Sequence, residues 1–485
     1  MSEGSLKCWN GTVSRRQVLI TMAGASVVGS CSLRQTIQPV TQLPTESEDK
    51  WPVIRVAYLR PKEKYWLGWP GTAWEKRCYQ DFVESSRAKV EQYAKQLKVR
   101  AVFEPEPLYD EASVTRFIAQ VKKDKPDGVL LFPLHMDRWG LVNDKIAGEL
   151  TDTPKIIFAP LGQCFTGHIQ KVSKLPGIYL ASCADFEEMK PIRLGMKIIR
   201  TNRDVRRSKI AILKGTETKE ETLEPLGLKI RYLPREYFVE ALKTIEVTPE
   251  VVAMAKEYRR AADKVIEPAW EDLINASKNY FAARKIMKDQ NCQGISLQCL
   301  QLVEHRRIPC PPCMAWSKLL DMGIPGVCEA DFRAVMGHVL CCRLLNKPGF
   351  MQDPVPNTVN NTLIGAHCVS PTRLNGYDRP REPFNLRTHA ESDIGVAVQV
   401  FWRPGQEVTI MQFTSPGNII LGKGKVLRNL STPPAGGCRT SVELEIDGPP
   451  DTRDTKGFHQ LFIYGDHVRD FQVYGQMFGI KTEHI

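Results

Sequence analysis

The chain has 485 residues, 42% of them hydrophobic and 25% charged, enough for about two to four folded domains and unlike a disordered polypeptide. Its formal charge of +11 comes from 66 Lys and Arg against 55 Asp and Glu. The basic clusters at 203–209 and 305–307 carry no interleaved aromatics, so they read as a solvated basic face and argue against a nucleic-acid partner.

The first 31 residues read as an export signal. Ser14-Arg15-Arg16-Gln17-Val18-Leu19-Ile20 is a twin-arginine sequence, and the apolar stretch over 18–28 is too short to span a bilayer. Val28-Gly29-Ser30-Cys31 fits a bacterial lipobox, which offers a membrane tether through a lipid on Cys31; ordinary cleavage nearby or an uncleaved anchor are the alternatives. The expected location is therefore periplasmic, free or lipid-anchored. Residues 32–50 are rich in Ser, Thr, Gln and Pro without apolar periodicity, and read as a linker.

A strand is predicted over 53–59, then an aromatic loop over 62–72, a helix over 78–97 and a strand over 98–103. A helix over 111–124, a strand over 128–133, a helix near 137–148 and a strand over 155–159 follow. Alternation at this spacing argues for a doubly wound parallel sheet in a first unit, 51–175. No GxGxxG follows the first strand, so nothing here points to a dinucleotide. A second α/β unit, 176–347, opens with a strand near 177–180. It continues through a helix over 185–200, a strand over 209–213 and a long helical stretch over 249–289. After Pro348 the texture becomes β-rich, with strands over 396–402, 407–413, 418–421 and 440–446 between Pro and Gly turns. The expected fold is α/β: two doubly wound parallel-sheet units followed by a β-rich C-terminal barrel or sandwich, 348–485.

The chemistry gathers in 291–376. Apolar runs at 294–300, 326–328 and 362–366 lead to Glu304, to Glu329 and Asp331, and to His367. Parallel strands buried on both faces read as such runs, and their carboxyl ends carry ligands. Acidic and imidazole groups arriving from separate segments suit a divalent-metal or acid–base site. Each also has a plainer reading. Glu304 fits a capped or paired carboxylate, Glu329 and Asp331 suit the start of the helix predicted over 330–345, and His367 fits a satisfied core histidine. His389 and Glu391 read as a polar rim for sugar hydroxyls or as a solvated turn. Of 14 Cys, several sit inside apolar runs as small hydrophobes. Cys310-Pro311-Pro312-Cys313 lacks the context of either a thioredoxin motif or a zinc site.

Three motifs carry a resemblance: Cys328-Glu329-Ala330-Asp331, Ile364-Gly365-Ala366-His367-Cys368, and Gly457-Phe458-His459 with Tyr464-Gly465-Asp466. With the order of domains, they make the chain similar to the L-fucose/L-arabinose isomerase family and to exported relatives termed sugar isomerases. The resemblance implies a Mn²⁺-dependent aldose–ketose isomerase working through an enediol, with a sugar or oligosaccharide as substrate and a homo-oligomer whose sites lie at subunit interfaces. It implies His459, Asp331 and Glu304 as metal ligands, Glu329, Asp331 and Glu304 as proton-moving carboxylates, and His367 as a substrate contact. Glu304 stands in a sequence that departs from the family's first-glutamate motif, and export departs from the cytoplasmic habit of familiar members. Two other readings stay open: a metal-free glycan hydrolase or lyase using Glu329, Asp331 and His367, and a non-catalytic sugar-binding lipoprotein.

Overall fold

Runs of β-branched and large apolar residues build the first sheet. Its strands are β1 (Val53–Leu59), β2 (Arg100–Phe103), β3 (Gly128–Pro133), β4 (Lys155–Pro160) and β5 (Ile178–Cys183), all parallel in the order β2-β1-β3-β4-β5. Both β3 and β4 are buried throughout, as strands covered by helices on both faces must be. Ile178–Cys183, expected to open the second unit, pairs with β4 and completes this first sheet. In this computed structural model the residues described are 47–62, 79–431 and 438–485, all within the unit Pro39–Ile485. The twin-arginine stretch, Cys31 and most of the aromatic loop over 62–72 lie outside them. No helix among the described residues is long and apolar enough to cross a membrane.

The second sheet holds β6 (Lys209–Leu213), β7 (Lys219–Leu223), β8 (Leu228–Leu233), β10 (Gly294–Leu297) and β11 (Gly326–Cys328), in the order β11-β10-β6-β8-β7. Only the β7 edge is antiparallel. The helical stretch expected over 249–289 is two helices, Pro249–Ala261 and Trp270–Asp289. They are parted by β9 (Lys264–Val265), which pairs with β14 (Phe384–Arg387); β14 in turn pairs with β15 (Ala397–Val400).

The C-terminal β-rich domain is a closed barrel. β12 (Phe350–Asn357), β13 (Thr362–His367), β16 (Glu407–Ser415), β17 (Asn418–Asn429), β18 (Thr440–Asp447) and β19 (Gln460–Tyr464) run β16-β19-β12-β13-β18-β17, and β17 pairs back onto β16. β20 (Lys481–His484) adds to β17. Closure leaves these six strands without a bare edge. Trp402 packs against the rings of Phe350, Phe462 and Tyr464 at centroid distances of 5.5, 6.3 and 4.9 Å. Such aromatic pairs each add about 0.5–1.5 kcal/mol beyond their burial. One continuous core runs from the first sheet through the second into the barrel, and a smaller one covers the other face of the first sheet. The last helix, Val468–Phe478, reaches back to the first sheet's end, where Gly177 N donates to Gln476 O at 2.9 Å.

Candidate functional site

The carboxyl end of β11 meets one rim of the barrel, and this meeting assembles the site. Glu329 follows β11 directly, and Asp331 is the N-cap of the helix Phe332–Leu345, its carboxylate accepting from Arg333 N at 2.7 Å. From the barrel come Asp353 on β12, His367 at the end of β13, and His459 just before β19. The register places Asp353 opposite Ala366, and Gln352 opposite Gln460. The buried Gln352 amide donates to Gln460 at 2.9 Å, so the strand ends bearing Asp353 and His459 are clasped together.

His459 is the hub. Its Nδ1 lies 2.8 Å from Asp331 Oδ2, while its Nε2 lies 3.2 Å from Glu329 Oε2 and 3.3 Å from Asp353 Oδ1. His367 Nε2 stands 3.6 Å from Glu329 Oε1, and its Nδ1 accepts from Val369 N. Because an ionised carboxylate can only accept, Nδ1 of His459 carries the hydrogen toward Asp331, and Nε2 is turned to the two remaining carboxylates. Yet His459 Nε2 and Asp353 Oδ1 are buried atoms that complete no hydrogen bond. Buried polar atoms are rarely left so, and an orphan pair calls for an unseen partner.

Charge is tuned across the group. The neighbouring imidazoles of His367 and His459 hold the Glu329 carboxyl well below its usual range. Burial pushes Asp353 up, so two neighbouring carboxyls are driven apart in acidity. Burial works against a charged His459, but Asp331 and Glu329 outweigh it and lift its pKa to about 9. Asp331, raised by burial, is brought below its ordinary value by His459 and the Arg333 amide.

The backbone is strained here. Glu329, Ala330 and His459 have φ of 61°, 55° and 60°, a left-handed conformation that non-glycine residues adopt at a cost of about 1–3 kcal/mol each. Gly457, at φ 92°, lets the chain enter this turn, and the buried Gln412 side chain clasps both the N–H and the carbonyl of Phe458. The exposed Phe458 ring lies 4.4 Å from the His459 ring centroid.

Glu329, Asp331, His367 and His459, expected from the sequence, are thus brought together. Glu304 is exposed at the end of the short helix Leu300–Glu304 and makes no contact with the group. His389 is buried, with Nδ1 3.0 Å from Ser392 Oγ, and neighbouring Glu391 is exposed but within electrostatic reach of Asp353. Their loop is pinned by the buried Arg439, which donates to Thr388 O at 2.8 Å. Asp353 was not expected, since a lone Asp before Pro354 has no apolar run to announce it.

Among the described residues, no three His, Cys, Asp or Glu side chains already stand at metal-binding spacing. The donors nonetheless fit a small divalent cation. Ligand atoms about 2.0–2.2 Å from an ion lie roughly 3–3.5 Å from one another, which is the separation of His459 Nε2 from Glu329 and Asp353. Cys310 and Cys313 are buried free thiols, Cys310 held at about 12 by burial, which suits a packing role rather than a reactive one.

No protein-family model matches the chain, and no curated protein matches it. Among solved structures it is similar to an ABC transporter solute-binding protein from Burkholderia multivorans, at 12% identity, over 53% of this chain and 85% of that one, with a TM-score of 0.18. An overlay that loose carries nothing about ligand or activity across to this chain.

Proposed function

We propose that this chain is an exported, divalent-metal-dependent aldose–ketose isomerase acting on a sugar or a sugar end-group. The observation that carries the reading is the unpaired Nε2 of His459, aimed at Glu329 and Asp353 while Asp331 holds the ring from behind. Glu329, Asp353 and His459 would hold the ion, and a set of two carboxylates and one imidazole suits Mn²⁺ as the resemblance implies. Asp331 then moves from ligand to positioning residue, because a carboxylate behind a ligating histidine fixes its tautomer and ring orientation.

When bound, the ion supplies charge to steady the enediolate oxygens. Glu329, ionised at neutral pH, takes the C2 proton of an open-chain aldose and returns it to C1. Asp353, raised in pKa, is the group able to carry a proton for the sugar oxygens. His367 and the loop bearing His389 and Glu391 would meet the sugar's hydroxyl groups. A hydrolytic reading is less well supported: Glu329 and Asp353 converge on a single imidazole nitrogen, leaving no room for a glycosidic bond between them. Export through the twin-arginine route, with or without a lipid on Cys31, belongs to the same proposal, since that route carries folded, cofactor-loaded proteins.

The test is metal content of the purified full chain after incubation with Mn²⁺, in wild type and His459→Ala, followed by an aldose screen of the loaded wild type. About one ion per chain, lost in the variant, supports the reading. A wild type that takes up no divalent ion sinks it and favours simple sugar binding.

A further inference from the structure

A cavity with a largely polar lining lies on the same carboxyl edge of the second sheet, away from the cluster around His459. In that sheet the chain lays down β6 and β8 to one side, then returns to place β10 and β11 on the other. The strand order therefore reverses between β6 and β10, and in open α/β sheets small ligands settle in the crevice outside such a reversal. Here the crevice is a cavity of about 300 Å³, lined by Lys214, Gly215, Thr216, Glu217, Lys219, Tyr232 and Gln298. Gly215, at φ 55°, turns the chain directly after β6.

The cations of this crevice are uncommitted. Lys214 Nζ and Lys219 Nζ lie 4.9 and 5.1 Å from the Tyr232 ring centroid, and neither has a carboxylate partner among the described residues. Arg235 follows β8 and its backbone N–H donates to Gly215 O at 3.0 Å, but its guanidinium turns to Gln301, away from the residues that line the cavity. Lys214 and Lys219, at the end of β6 and the start of β7, thus meet at the Tyr232 ring without counter-charge. Glu217, Thr216 and Gln298 add neutral and anionic hydrogen-bonding groups to the same lining. A carboxylate beside hydroxyl and amide groups suits the O–H donors of a polyol, while lysines suit phosphate as point charges.

We propose that this crevice binds a small polyhydroxylated phosphate ester, with the phosphate on Lys214 and Lys219 and the hydroxyls toward Glu217, Thr216 and Gln298. Its volume is at the small end of ligand pockets, which excludes a polymer as occupant. The site does not depend on the isomerase reading. β10 alone separates β6 from β11, so the crevice stands about 10 Å from the strand that delivers Glu329.

Calorimetric titration of the full, metal-free chain with ribose 5-phosphate tests it, with ribose and inorganic phosphate titrated in parallel at one salt concentration. Using metal-free protein keeps phosphate bound at the His459 cluster out of the measurement. The ester should bind more tightly than either fragment, and Lys214→Gln with Lys219→Gln should weaken it about tenfold or more. Both lysines are exposed, so the double variant is expected to fold, which an unchanged melting curve verifies. No heat from the ester with wild type, or equal affinity in the double variant, overturns the proposal. Equal binding of ester and inorganic phosphate overturns the polyol half of it.

Discussion

Asp331 and His459, 128 residues apart, are joined by a 2.8 Å hydrogen bond across the meeting of the second sheet and the barrel. The same carboxylate caps the helix Phe332–Leu345, so one side chain sets both a helix start and an imidazole orientation. Asn at this position keeps the cap but offers the imidazole a weaker, neutral partner. Asp331→Asn should therefore leave the melting temperature near wild type and weaken Mn²⁺ binding about 10–100-fold. Calorimetric Mn²⁺ titration of the two proteins decides it; equal affinity would show that Asp331 serves the helix alone.

Asp353 and Glu304 make opposite predictions. Asp353→Asn should abolish retention of a divalent ion through gel filtration, while Glu304→Gln should keep wild-type metal content. Glu304 is exposed and apart from the cluster, whereas Asp353 Oδ1 lies 3.3 Å from His459 Nε2. Elemental analysis of both variants reads the difference directly, and metal loss in Glu304→Gln would restore that residue as a ligand.

Lys155 offers a pH test far from the site. Its buried ammonium donates to Leu150 O at 2.5 Å and Thr153 O at 2.7 Å, and burial pulls its pKa from 10.5 down to about 8. Between those values the unfolded chain keeps a proton that the folded chain has released, so stability rises with pH across that window. Below it, both states are protonated and the effect is flat. The rise is about 3 kcal/mol at most. Urea unfolding from pH 7 to 10 should show wild type gaining on Lys155→Met over this range. Parallel curves would mean that Lys155 stays charged when folded.

Gly457→Ala should cost about 1–3 kcal/mol. At φ 92° any Cβ is strained, and here it would stand 2.1 Å from Gln412 Oε1. Because His459 is two residues on, the variant should also lose metal while still folding. Melting and metal content measured together separate the two effects; a destabilised variant that still holds its ion would show the turn to be purely structural.

Much of the α/β part can be read from the chain because its strands are buried on both faces. Gly128–Pro133, Lys155–Pro160 and Lys209–Leu213 are apolar runs that admit few other readings. The barrel strand Phe350–Asn357 is the counter-example. It contains Asp353, Pro354 and Pro356, which sequence rules set against a strand, yet it pairs with β13 over Asp353–Asn357. Asp353, which faces His459, is hidden by that disguise. Glu304 erred in the other direction: the run before it ends in a helical turn that carries the carboxylate outward. Glu329, Asp331, His367 and His459 were visible as residue types at element ends. Their convergence on one imidazole depends on barrel register, which no local pattern encodes.

The seat of the final helix on the first sheet has a consequence for biogenesis. Phe471, Val473, Tyr474 and Met477 are buried, and Gln476 bonds both Gly177 N and Ser173 O, about 300 positions earlier in the chain. While the ribosome is still adding the C-terminal segment, that early surface stays uncovered and the β16–β19 pairing of the barrel is unmade. Maturation is thus a late, concerted event with very long-range contacts, slow by nature and exposed to aggregation. A nascent chain of this design is best served by chaperones that shield it until the helix Val468–Phe478 docks.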